Sequence, residues 1–154
     1  MVTLTRENLK SAIPEYIRDN LRNNLTNPTG STSKWIYKDN PGLDVTQSDY
    51  PFVLCKLSTM GKKRLGLKGS RYIVEDIYVN VEVYTDDPYH RDTIADELEK
   101  FTMSETSEDA DGDTYPANGL KVKDIESNVE DVYINQDEIL RVSISRFRLR
   151  YYGG

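Results

Sequence analysis

The stretch YIVEDIYVNVEVYT, residues 72–85, constrains the fold more than any other part of the chain. Ile73, Ile77, Val79, Val81 and Val83 share one parity, while Tyr72, Asp76, Tyr78, Asn80, Glu82 and Tyr84 share the other. A period of two puts the β-branched residues on one side of a strand, whereas a helix would scatter them around its circumference. The segment therefore requires a sheet with one buried face. Fourteen residues at about 3.3 Å each span about 46 Å, which predicts a strand that bends or projects past its sheet. The second face interleaves tyrosines with acids, a mixture suited to a subunit contact, because tyrosine offers contact area and a hydrogen bond together.

The remaining periodicities supply the partners of that strand. Leu9, Ile13, Tyr16, Ile17 and Leu21 are spaced by three and four, which predicts an amphipathic helix from a Thr5 cap to about Asn23, kinked or divided at Pro14. KWIYK and PFVLCKLST read as strands, with Cys55 as a small core side chain. MGKKRLGLKGSR reads as a long exposed basic hairpin loop or arm. In DDPYHRDTIADELEKF, Asp87 is the expected cap and Pro88 the first helical residue; Ile94, Ala95, Leu98 and Phe101 make the buried stripe. His90 is then an exposed residue of the first turn. TMSETSEDADGDTYPANG reads as an acidic loop, LKVKDIES and VEDVYINQ as two paired strands, and EILRVSISRFRLRYY as the strand that closes the sheet. These elements make a single α+β domain over residues 1–154, with an N-terminal and a central helix on one face of a mainly antiparallel sheet.

The closing strand raises its own question. Leu140, Val142 and Ile144 have even numbers, yet Phe147, Leu149 and Tyr151 have odd ones. A bulge at Ser145–Arg146 would let both sets face the core and turn Arg146, Arg148 and Arg150 outward. Two readings of that arginine row stand side by side: protection of an outer strand against aggregation, or a surface for a partner.

Charge is distributed unevenly. The chain has 20 basic and 26 acidic residues, a net charge of -6, which argues against a general nucleic-acid binder. Residues 61–71 hold five cations and no acid; residues 72–138 hold four cations and twenty acids; the last sixteen residues hold four arginines and no acid. Poles of opposite sign suit specific association. Lys62, Lys63, Arg64, Lys68 and Arg71 form one pole, and Glu105, Glu108, Asp109, Asp111 and Asp113 the other. Together with Tyr78 and Tyr84 they are the expected oligomer contact.

Motifs for chemistry are missing. Asp109, Asp111 and Asp113 alternate like an EF-hand loop, but the sixth and twelfth positions are Thr114 and Leu120, where glycine and glutamate belong. GKKRLGLKG lacks the spacing of a phosphate-binding loop. One histidine and one cysteine supply neither a Cys/His zinc site nor a catalytic pair, and exclude an intrachain disulfide. The expectation is a protein without catalytic residues, metal or cofactor, folded in a reducing compartment. No apolar run is long enough for a membrane-spanning helix, and MVTLTRENLK lacks a signal-peptide core.

The order of these phrases carries a resemblance. An N-terminal helix, a short strand, SDYPFVLCKLS, a basic hairpin, the long strand, the RDTIADELEKF helix and a final strand pair ending in RFRLRYY follow one another. This layout resembles the tail-terminator (tail-completion) family of long-tailed viruses of bacteria and archaea. The resemblance implies a six-fold ring on the head-proximal end of the tail tube, which stops polymerisation and joins the tail to the neck. Implied partners are further copies of the chain, the tail tube protein and a neck or connector protein. DNA would pass through the lumen without specific binding, and no membrane is involved. The implied place is the virion, with synthesis in the host cytoplasm. The alternatives are another neck component, either a head-completion or a connector protein, or a monomeric metal- or anion-binding module.

Overall fold

The computed structural model describes residues 4–5, 7–39, 42, 50–64, 72–100, 106–108, 114–116, 120–133 and 139–151. The elements in chain order are α1 (Leu9–Asn24), β1 (Ile36–Lys38), β2 (Phe52–Arg64), β3 (Tyr72–Thr85), α2 (Pro88–Glu99), β4 (Thr106–Glu108), β5 (Thr114–Pro116), β6 (Leu120–Tyr133) and β7 (Ile139–Tyr151). Five strands form one sheet in the order β1-β2-β3-β7-β6, and β4 and β5 form a separate two-stranded piece. All pairings in the large sheet are antiparallel except the short β1–β2 contact. The expected α+β domain is the observed one.

β3 spans the full alternating segment, and its odd residues from Ile77 to Val83 are completely buried. Residues directly opposite across a ladder share a face. Cys55 and Val53 lie opposite Val81 and Val83, and Phe147 and Leu149 lie opposite Val79 and Ile77. This face packs against Leu9, Ile13, Ile17 and Leu21 of α1 and Ile94 and Leu98 of α2, forming one core. Removal of this apolar surface from water is the main force holding the helices on the sheet. A register shift between Val74 and Ile77 supplies the irregularity expected of so long a strand.

Each helix has a local reason for its boundaries. Asp87 caps α2 by accepting a 2.8 Å hydrogen bond from the Tyr89 N–H, with Pro88 in the first turn where its missing donor costs nothing. α1 starts later than the Thr5 cap predicted: Asn8 holds the cap position, and its Oδ1 accepts from the Thr5 N–H at 2.8 Å in a preceding turn. Pro14 lies inside α1 rather than at its start. After α1, the Gly30 N–H closes a turn on the Asn27 carbonyl, and its φ of +76° is the left-handed geometry that glycine tolerates.

Several expectations are corrected. LKVKDIES and the first five residues of VEDVYINQ are one continuous strand, β6, because the Asn128–Val129 junction is paired with Ile144 and Ser143 without interruption; residues 134–136 lie outside the described residues. The acidic loop contains the β4–β5 pair. Residues 60–64 of the basic hairpin are strand, since β2 continues to Arg64 in register with Tyr72. Phe101 of the predicted helix stripe lies outside the described residues.

The closing strand differs most. β7 pairs with β3 from Arg141 to Leu149 with no bulge at Ser145–Arg146, and it lies inside the sheet between β3 and β6. Its helix-side residues are Ser143, Ser145, Phe147, Leu149 and Tyr151, all buried. Ser145 Oγ shares a 3.0 Å hydrogen bond with Ser127 Oγ, so two small polar residues continue the buried face. Leu140, Val142 and Ile144 stay on the opposite face with the arginines. The apparent change of phase records a face that is apolar at one end and cationic at the other. Edge protection fails as an account of the arginine row, because β7 is not an edge.

Cys55 is fully buried, and that burial pushes its thiol up to about 12, with Arg18 and Arg22 opposing the shift. The folded state favours the neutral thiol, so its contribution to stability holds up to about pH 9 and is lost as pH rises toward 12. A thiol reagent at neutral pH is expected to modify native protein orders of magnitude more slowly than urea-unfolded protein. Equal rates would place Cys55 outside the core.

Candidate interaction surface

The face of the sheet opposite the helices is buried at one end, where Phe52, Leu54, Leu140 and Val142 are at most 4% exposed, and open at the other, around Tyr78, Arg146 and Arg148. From β2 it takes Phe52, Leu54 and Lys56; from β3 Tyr78, Asn80, Glu82 and Tyr84; from β7 Val142, Ile144, Arg146 and Arg148. β6 adds Asp124, Glu126, Asn128 and Glu130 in register. At one end Phe52 is sandwiched by stacked rings, Tyr50 at 6.0 Å and Tyr84 at 5.1 Å between centroids. At the other end the guanidinium of Arg146 lies 3.8 Å from the centre of the Tyr78 ring, a cation–π contact that holds the arginine upright. Arg148 donates to Asp124 at 3.4 Å with both side chains substantially exposed.

The two tyrosines expected at a subunit contact differ in what they have left to offer. The Tyr84 hydroxyl donates to Glu82 Oε1 at 2.7 Å, and Lys56 Nζ meets the same oxygen at 3.1 Å. Burial, followed by that carboxylate neighbour, pushes the Tyr84 hydroxyl well above its ordinary value. Its hydrogen bond is thus spent within the subunit. Tyr78 presents its ring to Arg146, so the pair acts as one amphipathic unit.

A second polar cluster clamps α2 to the sheet. Asp131 of β6 accepts from Arg141 at 2.6 Å and from Arg91 of α2 at 2.7 Å. These partners, Arg141 foremost, hold the Asp131 carboxyl below its usual range. Its stabilising effect is present near neutral pH and lost as pH falls through that lowered value. Asp131→Asn is expected to lower Tm at pH 7, with a smaller difference from wild type in strong acid; an unchanged Tm at pH 7 would deny the clamp a role in docking α2.

The described members of the predicted charge poles are divided by the sheet. Lys62, Lys63 and Arg64 stand at the end of β2, on one side; Glu108 ends β4, which pairs with β5, which in turn lies against β6 on the other side. Lys68, Arg71, Glu105, Asp109, Asp111 and Asp113 lie outside the described residues. Arg150 lies opposite Lys121 and is half-buried. Among the described residues no group of three or more His, Cys, Asp or Glu could hold a metal ion. No described helix is long and apolar enough to cross a membrane.

An open groove of about 480 Å³ runs between the C-terminal end of α1 and β1, with Arg22, Thr26, Ser31, Thr32, Lys34 and Trp35 in its lining. Arg22 is already committed, donating to the Ile36 carbonyl at 3.0 and 2.6 Å. Among the described residues, no acid, histidine or thiol lines the groove. His90 lies 3.8 Å from its own helix cap, Asp87, and is partly covered instead of exposed.

Sequence reasoning missed the apolar half of the helix-free face and the Arg91–Asp131–Arg141 clamp. The first could have been seen in the shared parity of Leu140, Val142 and Ile144 with the arginines. The second joins residues forty positions apart and has no local signal. Comparison with protein-family models and with curated proteins finds no match.

Proposed function

We propose that this chain is a virion structural protein that forms a ring on the head-proximal end of a viral tail tube, ends tube growth there and joins the tail to the neck. The observation that carries this reading is the separation of charge across the sheet. Cations end β2 on one side, while the acids of β6 and Glu108 lie on the other. A head-to-tail contact, in which one face of a subunit meets a different face of the next, uses complementary and non-identical sides, and closes into a ring when the rotation allows. Charge would set orientation, and the apolar and aromatic neighbours would supply most of the affinity. The Arg146–Arg148 row, exposed on an interior strand, supports a further surface for the tube or neck protein. The chain itself carries out no catalysis in this reading, and DNA passes through the lumen without a specific grip.

Light scattering over a concentration series, with electron microscopy of the same sample and of its mixture with tail tubes, tests the proposal. Closed rings with a lumen wide enough for duplex DNA, alone or on tube ends, are the expected result. A strict monomer in both conditions overturns it. Millimolar calcium is expected to leave Tm unchanged. A clear rise would favour a metal-binding module, because a ligand of the folded state stabilises it.

A further inference from the structure

Among the described residues, three of the four large hydrophobic side chains left exposed lie on β6: Val129 at 54%, Val132 at 42% and Tyr133 at 72%. β6 is the outermost strand of the sheet, fourteen residues long, and no described strand pairs with its free side. Such an edge presents a row of unpaired backbone donors and acceptors, and proteins that leave it unoccupied usually blunt it with lysines, prolines or bulges. The first half of β6 has such devices, with Lys121, Lys123 and an irregularity between Val122 and Asp124. The second half, from Ser127 to Tyr133, has none of them and carries Glu130 and Asp131.

The opposite side of the sheet is not uniformly open. β1 covers β2 only at Val53, Leu54 and Cys55. The outward Ile36 carbonyl of β1 is capped by the Arg22 guanidinium, which removes it as an acceptor for another strand. Beyond Cys55, however, β2 has no described neighbour on that side. This free stretch of nine residues, about 30 Å long at 3.3 Å per residue, ends in Lys62, Lys63 and Arg64 with no acid in it.

We propose that the free edge of β6 in one copy of this chain pairs antiparallel with the free stretch of β2 in the next copy, so that the sheet continues from subunit to subunit. This rests on the ring reading above and specifies its contact. The occupant is a second copy because the basic end of β2 and Glu130 of β6 are opposite in charge and lie on opposite sides of one sheet. The ladders set Leu120, not Glu130, level with Lys62, so the seam is staggered along the strands and joins the last residues of both. β2, β3, β7 and β6 alternate in direction, so β6 followed by the next β2 continues the antiparallel order without inverting the subunit. A rotation can generate that relation. Pairing β6 with a second β6 would instead set acidic edges against each other.

The test is a charge exchange across the seam. K62E/K63E/R64E is expected to reduce the ring fraction at least tenfold while the circular dichroism and Tm of the monomer are retained. Adding N128K/E130K, at two exposed β6 positions, to the same chain is expected to restore rings, because the charges are then exchanged. V129K/V132K, which places lysines on the free edge, is expected to abolish rings without unfolding. Wild-type rings with no rescue by N128K/E130K, and with V129K/V132K rings intact, would overturn the pairing while the ring reading stands. Wild-type protein that forms no ring, or only a two-fold dimer, at the highest attainable concentration and with tail tubes would overturn both.

Discussion

Phe147→Ala is expected to lower the free energy of unfolding by about 3–5 kcal/mol, the usual range for removing a core phenylalanine. Phe147 is fully buried on the central part of β7, opposite Val79 on one side and Ile125 on the other. It belongs to the core that α1 and α2 close, so the lost ring leaves a cavity lined by side chains from several elements. For a chain of this length the change corresponds to a fall in Tm of roughly 10 °C. Val129→Ala, at a half-exposed edge position, should stay within about 0.5 kcal/mol of wild type. Urea unfolding of both variants measures the contrast. A Phe147→Ala variant as stable as wild type would mean that the odd-numbered face of β7 is not the core.

Reversing Arg146, Arg148 and Arg150 to glutamate together is expected to reduce head-to-tail joining in a reconstitution assay by an order of magnitude or more, with ring formation retained. The row lies on the helix-free face of an interior strand, away from the free edges of β2 and β6. Reversal removes the guanidinium over the Tyr78 ring and places a carboxylate beside Asp124. The field of the surface changes sign without disturbing the buried face. Charge at a contact of this kind steers encounter and rejects wrong partners, so its reversal is more damaging than its neutralisation. The Arg→Gln triple variant should therefore join at an intermediate level. Arg146→Glu alone, at the exposed position, guards against a folding defect in the triple variant. Normal joining by all three variants would remove this face as a partner surface.

How far the chain could be read depended on where the information lay. β3 was legible because period two over fourteen residues admits one explanation, and α2 because Asp87 and Pro88 announce its start. In β7, parity along the single strand suggests a bulge that its ladder with β3 does not contain. Ser143 and Ser145 look like surface residues in a sequence, yet both are fully buried on the helix side. Once serines are accepted in the core, no bulge is needed and the alternation runs unbroken. In β6, Glu126, Ser127 and Asn128 break the apolar pattern and suggest two strands; the ladder with β7 overrides that weak local preference.

The charge poles were visible as runs in the chain, but not their placement. Antiparallel neighbours are chosen by long-range pairing, and the order β1-β2-β3-β7-β6 puts the basic end of β2 and the acidic β6 on opposite sides. The same order places the arginine row on an interior strand, so of its two expected readings edge protection fails and the partner surface is left. By itself the sequence determined the periods, the helix caps and the sign of each charged run, because these depend on residues a few positions apart. Only the tertiary structure decided which strands became edges and which side chains share a face. Those outcomes depend on ladders between segments as much as seventy-seven residues apart, such as Val74 with Tyr151, and local pattern carries no record of them.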